Sequence, residues 1–191
     1  MRILGLRLRL LNFKSLVNVN VNPVFTFATN FHQLTNIMNS IEQKLEALGL
    51  ELPNLPGSKG IYKSCLTVDK LVYVSGHVSV HTDGSFITGK LGQDLNEEEG
   101  QVAARQCGLA MLVSLKKHLV DLGQIKRVVK LLGMVNSTPD YTQHPVVING
   151  CSSLFVELWG DDHGKGVRSA VGMGSLPGNV AVEIEGIFEI A

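Results

Sequence analysis

Acidic residues are missing from the first 40 positions of this 191-residue chain, where Arg2, Arg7, Arg9 and Lys14 are the charged side chains. The whole chain balances 17 basic against 17 acidic residues, so the remainder is mildly acidic, 13 against 17. Phosphate backbones are gripped by clustered Lys and Arg, and this shortage of positive charge in the body argues against nucleic acid as the main partner. Aromatic residues are also scarce, at 6%, which leaves little for a base-stacking groove. Only three cysteines occur, Cys65, Cys107 and Cys151, far apart and with no C-x-x-C. That spacing argues against a disulfide framework or a cysteine zinc site, and fits small buried thiols in a reducing compartment. His77, His81, His144 and His163 share no ligand spacing on one element, so no metal is expected. No apolar run approaches the ~20 residues of a membrane-spanning helix, because Arg7, Arg9 and Lys14 break up the leucines around Leu10 and Leu11.

Residues 1–38 thus stand apart: acid-free, rich in Leu, Asn and Arg, and closing on a Met38 that could itself start the chain. Two readings stay open, a mitochondrial-type targeting leader and an upstream extension that is never made. Both place the folded domain at 39–191 and the protein in the cytoplasm or the mitochondrial matrix, with no membrane partner.

What is present is ample core material, 45% hydrophobic residues, enough for one domain of ordinary size. Ser40-Ile41-Glu42-Gln43 is a capping box that opens a short helix closed by Gly49. Tyr62–Val68 and Leu71–Val80, joined by Asp69-Lys70, read as a hairpin, and the run Leu71–Val78 is apolar at consecutive positions, so both its faces should be covered. Gly84–Lys90 has P-loop spacing, but Leu91 stands where a metal-binding hydroxyl belongs and no helix follows directly, so no nucleotide cofactor is expected. Asn96 and Glu99 cap a long helix expected over Glu97–Leu122 and stopped by Gly123. Its small residues Gly100, Ala103, Cys107 and Ala110 suit close packing on a sheet, His118 falls in the same stripe as a core histidine, and Arg105 and Lys116 face solvent. A strand over Lys126–Val135, a second helix over Pro145–Trp159 and a flexible loop over Asp161–Gly166 follow. The order predicts an α+β sandwich, a mainly antiparallel sheet with two long helices on one face. The other face then needs a cover, and self-association is the simplest one.

The last thirty residues carry the chemistry. Val180, Val182, Ile184 and Phe188 alternate with Ala181, Glu183, Glu185 and Glu189, the pattern of a half-buried strand. Gly166–Gly172 reads as its partner strand across the turn Ser175-Leu176-Pro177-Gly178-Asn179, which would set Arg168 and Glu183 on neighbouring segments. A guanidinium fork grips a carboxylate and a nearby carboxylate orients a water; a cross-strand ion pair is the plainer alternative.

Arg168-Ser169-Ala170-Val171, Leu176-Pro177 and Val182-Glu183-Ile184-Glu185 closely resemble the C-terminal signature of the RidA family, also called YjgF or L-PSP endoribonuclease, in its chorismate-mutase-like branch. Leu52-Pro53, Val74-Ser75-Gly76, Gly89-Lys90-Leu91-Gly92, Val128-Val129-Lys130-Leu131 and Val147-Ile148-Asn149-Gly150 extend the resemblance over about residues 38–191. It implies a homotrimer of chorismate mutase-like subunits with three interfacial clefts and no cofactor. It further implies hydrolysis of small 2-enamine or 2-imino acids to 2-keto acids and ammonia. In that likeness Arg168 holds the substrate carboxylate, Glu183 and a backbone carbonyl near Ala170 place the water, and Tyr62, Ser75, Gly76 and Asn149 line the pocket. Two departures stand out: Ala170 replaces the usual Cys, and Ile61-Tyr62-Lys63-Ser64 replaces Pro-Tyr-Ser-Gln. The alternative from another class is a non-catalytic binder of small carboxylates; an endoribonuclease ranks lower, and chorismate mutase activity is suggested by fold analogy alone.

Overall fold

The computed structural model describes residues 40–55, 57 and 60–191; the expected leader and its boundary lie outside the described residues. Helix α1 (Ile41–Ala47) starts where the Ser40 hydroxyl accepts from the Gln43 amide, and Gly49 leaves it with φ 64. Strands β1 (Cys65–Val68) and β2 (Leu71–Val78) form the hairpin, with Asp69 at φ 52 in the turn. Helix α2 (Glu97–Leu119) carries the full capping box, Glu99 N–H to Asn96 Oδ1 at 3.0 Å and Asn96 N–H to Glu99 Oε2 at 2.9 Å. It ends three residues earlier than expected. Val120 turns to φ 70, and Asp121 accepts the Gly123 amide at 2.7 Å, so Leu122–Gln124 forms a separate tight turn.

Strand β3 (Ile125–Asn136) leads to α3 (His144–Trp159), which takes Pro145 in its first turn and stops at Gly160 with φ 76. The stretch expected as a loop opens with one helical turn, α4 (Asp161–Gly164), where Lys165 pairs with Asp161 at 2.6 Å. Strands β4 (Val167–Met173) and β5 (Val182–Ile190) close the chain, joined through a tight turn at Pro177–Asn179 in which Gly178 and Asn179 take positive φ.

The sheet order is β1-β2-β5-β3-β4. Three pairings are antiparallel, and β3–β4 is parallel. This corrects the expected pairing of β4 with β5: β3 lies between them. The cause is the helical crossover. A strand–helix–strand unit returns its second strand parallel beside the first, so α3 delivers β4 to one side of β3 and leaves the other side for β5. The chain then has to cross the end of β3. Buried Asn136 secures that crossing, donating from Nδ2 to Asn179 Oδ1 at 3.0 Å and to the Gly89 carbonyl at 3.3 Å, while its amide bonds Ala181 O at 2.9 Å.

Helices α2 and α3 cover one sheet face. Val182, Ile184, Gly186 and Phe188 point into that layer with Val72, Val74, Leu131 and Val135, against Cys107, Met111, Ile148, Leu154 and Phe155. Phe155 meets Phe188 edge-on, ring centroids 5.6 Å apart. At Gly133 a Cβ would lie 2.5 Å from Ile148, so α3 packs directly on backbone. Arg105 is not merely solvated: it forms a bidentate pair with Glu157 at 3.0 and 2.6 Å and ties α2 to α3. His118 is exposed rather than in the core, and shares a 2.7 Å hydrogen bond with Thr67 Oγ1.

Among the described residues the opposite sheet face has no second layer. Tyr73 and Leu66, adjacent across the β1–β2 ladder, are 43% and 46% exposed. A 560 Å³ depression runs across this face between Tyr73, Leu132, Ile187, Lys130 and Glu185.

Candidate functional site

Arg168 sits on β4, the outer strand, opposite Leu131. Leu131 faces the helices, so Arg168 does too. There α3 receives it: Nη1 donates to Asn149 Oδ1 at 2.9 Å and Ser152 Oγ at 3.0 Å, and Nη2 donates to the Pro145 carbonyl at 3.1 Å. All three acceptors are neutral, and no carboxylate pairs with Arg168 among the described residues. The guanidinium is therefore fixed in orientation while its charge stays uncompensated. Ala170 follows two residues on, on the same face, opposite Gly133. Ser152 and the Pro145 carbonyl escaped sequence reading. Asn149 and Ser152 are three apart on one helix, hence neighbours, and that spacing was the available signal.

The second group of residues lies elsewhere. Glu183 on β5 stands opposite Val78 of β2 and Met134 of β3, on the face away from the helices. Strand β2 is bulged between Val74 and His77, so Ser75 and Gly76 break the ladder to β5. A Cβ on Gly76 would collide with Glu183 Oε1; the missing side chain is what admits the carboxylate. Ser75 is held from both backbone and side chain, its N–H and hydroxyl donating to the Ser64 carbonyl at 3.0 and 3.3 Å. Tyr62, Ser75 and Gly76 together line an 840 Å³ cavity. Partial burial, and then repulsion from Glu185, raise the Glu183 pKa above its ordinary 4.5. Glu183 has no ion-pair partner among the described residues.

Within one chain, then, Arg168, Ala170 and Asn149 form one cluster; Tyr62, Ser75 and Gly76 line the cavity, and Glu183 meets that group at Gly76. The expectation that Arg168 and Glu183 occupy neighbouring segments is corrected: β3 separates their strands and they project from opposite sheet faces. Nor are they paired with each other, so the simple cross-strand ion pair is excluded. The three cysteines are free and buried, and burial raises Cys65 to about 11 and Cys151 to about 12, which leaves them poor nucleophiles. Among the described residues no three His, Cys, Asp or Glu side chains are grouped to hold a metal ion.

A helix pair on one face of this mixed five-stranded sheet is the chorismate mutase-like fold. Residues 42–182 match the family model described as "YjgF/chorismate mutase-like, putative endoribonuclease", and the chain belongs to this RidA/YjgF family. It is 37% identical over 150 residues to Protein TCP17 of Trypanosoma cruzi, covering 78% of this chain and 94% of that one. Among solved structures it resembles the protein Atu1372, of unknown function, from Agrobacterium tumefaciens, with 37% identity and TM-score 0.73 over 82% of this chain and 97% of that one. A "putative endoribonuclease" from Shewanella oneidensis matches at 28% identity and TM-score 0.75, covering 80% and 100% respectively.

Proposed function

We propose that copies of this chain assemble as a homotrimer. The Arg168 cluster of one then closes on the Glu183 cluster of the next, and the resulting clefts hydrolyse small 2-imino acids to 2-keto acids and ammonia. One observation carries the reading: a guanidinium oriented by three neutral acceptors, with no carboxylate of its own. Such a group has a place for a ligand carboxylate, and a second copy supplies the acid that a single chain keeps two strands away. The sheet face that the described residues leave uncovered, with Tyr73 and Leu66 half-exposed, supports assembly through that surface.

Chemically the demand is modest, because a C=N carbon is already electrophilic. Arg168 clamps the substrate carboxylate, with Asn149 holding the clamp. Glu183, with the backbone carbonyl near Ala170, orients the attacking water and takes its proton, and the resulting carbinolamine expels ammonia. Tyr62, Ser75 and Gly76 form the wall on the Glu183 side. Proximity and fixed charge supply the rate gain. A main-chain carbonyl does not depend on the residue 170 side chain, so Ala170 in place of Cys is compatible with this chemistry.

Ammonia release from freshly generated 2-iminopropanoate tests the proposal. The account expects turnover by the wild type and loss in both Arg168→Ala and Glu183→Ala. Carboxylate binding abolished by Arg168→Ala, with no turnover in any variant, would instead establish a non-catalytic carboxylate binder.

A further inference from the structure

The 840 Å³ cavity continues past Tyr62 and Ser75 to a pair of side chains that imine hydrolysis does not use. His77 on β2 and Ser114 on α2 both line it, and His77 Nε2 lies 2.7 Å from Ser114 Oγ. The other ring nitrogen, Nδ1, lies 2.7 Å from the Ser75 carbonyl oxygen. A carbonyl only accepts, so Nδ1 must carry the proton. Nε2 is therefore the bare, accepting nitrogen, and the Ser114 hydroxyl donates to it. The result is a hydroxyl, a base in the tautomer that can deprotonate it, and a third group fixing that tautomer.

The surroundings suit that use. His77 is buried, 8% exposed, and burial lowers its pKa, which keeps the ring neutral and able to accept. Ser114 is only half-buried and lines the cavity. One helical turn on, Lys117 lines the same cavity and has no ion-pair partner among the described residues. Ala110 and Val113 on the same helix, with Val80 and Phe86 from beyond β2, add apolar lining.

We propose that Ser114 and His77 form a nucleophile–base pair for acyl transfer from esters that carry an apolar acyl group. Ser114 Oγ adds to the ester carbonyl carbon as its proton passes to His77 Nε2, and the Lys117 ammonium offsets the charge on the carbonyl oxygen. The carbon–oxygen bond to the alcohol breaks and the leaving oxygen takes the proton from Nε2. Water then attacks the acyl carbon, gives a proton to Nε2, and Ser114 leaves as its hydroxyl, so the net change is ester plus water to acid plus alcohol. This activity needs neither Arg168 nor Glu183, and it stands or falls separately from imine hydrolysis.

A p-nitrophenyl alkanoate is the probe. The expected result is a burst of one p-nitrophenolate per chain, with the acyl mass on the peptide that contains Ser114. Ser114→Ala should abolish it, and His77→Gln should slow it by about 100-fold or more. No burst, or acyl mass on Lys117 or Lys63, would overturn the assignment. Should Ser114→Ala fail to fold, Ser114→Cys provides the second measurement, since the native thiols are buried. Iodoacetamide should alkylate that variant once, about tenfold more slowly when His77→Gln is added, whereas equal rates would equally overturn it.

Discussion

The two ends of the candidate site solve opposite electrostatic problems. At the β4 edge a cation is held by Asn149, Ser152 and the Pro145 carbonyl, all neutral. Its geometry is fixed before any ligand arrives, and its charge is not offset. Beside the β2 bulge an acid is pressed against backbone that only glycine allows, half-buried and next to Glu185. Neither arrangement is the cheapest for a lone chain, since pairing the two charges would relieve both. Their separation across β3 keeps them apart within one chain, which is why the proposed function brings them together between copies.

Breaking the cationic end should have the largest effect. Arg168→Ala is expected to lower kcat/KM for imine hydrolysis by at least ~100-fold, in line with about 2–5 kcal/mol for losing one partner of a buried charge pair. Arg168→Lys should restore little, because an ammonium cannot present the same fork. Next comes Gly76→Ala. Its Cβ meets only the flexible Glu183 side chain, from Oε1 back to Cγ, and no backbone, so the variant should fold, with unchanged circular dichroism, and lose about tenfold or more in kcat as the carboxylate is pushed aside.

Removing the cradle is a smaller insult. Ser152→Ala leaves two hydrogen bonds to the guanidinium and should cost about 1–2 kcal/mol, read mainly in KM. The subtlest test is of pH. Activity that needs ionised Glu183 should fail on the acid side with a midpoint above 4.5, and Glu185→Gln should move that midpoint down by removing the like charge. The same shift has a sign for stability. A carboxyl whose folded pKa is raised favours the folded state below its unfolded pKa, and that contribution is lost as pH rises through the folded one. Glu183→Gln should therefore be inactive yet no less stable at neutral pH, which thermal unfolding would show.

The contrast also separates what was legible in the sequence from what was not. Local signals read through well. Ser40 and Asn96 cap their helices, Asp69-Lys70 turns the hairpin, and the alternation of Val182, Ile184 and Phe188 with Glu183 and Glu185 assigns the faces of β5. Strand order did not, because Arg168 and Glu183 are near in sequence but the α3 crossover places β3 between them. Helix α2 stops early at Val120 for a reason invisible to periodicity: Asp121 satisfies the Gly123 amide and starts a new turn. Likewise the Arg105–Glu157 and His77–Ser114 contacts span 52 and 37 residues, and no local pattern encodes such pairings. The family resemblance pointed to Arg168 and Glu183 together, and the topology places them on strands separated by β3.

That division can be tested by complementation. Arg168→Ala and Glu183→Gln chains, each inactive alone, would be co-refolded in equal amounts and assayed for imine hydrolysis. If each cleft takes its cation from one copy and its acid from the next, random mixing leaves about one cleft in four with both groups intact, so about a quarter of wild-type activity should return. Mixed assemblies that form and stay inactive would contradict a site shared between subunits.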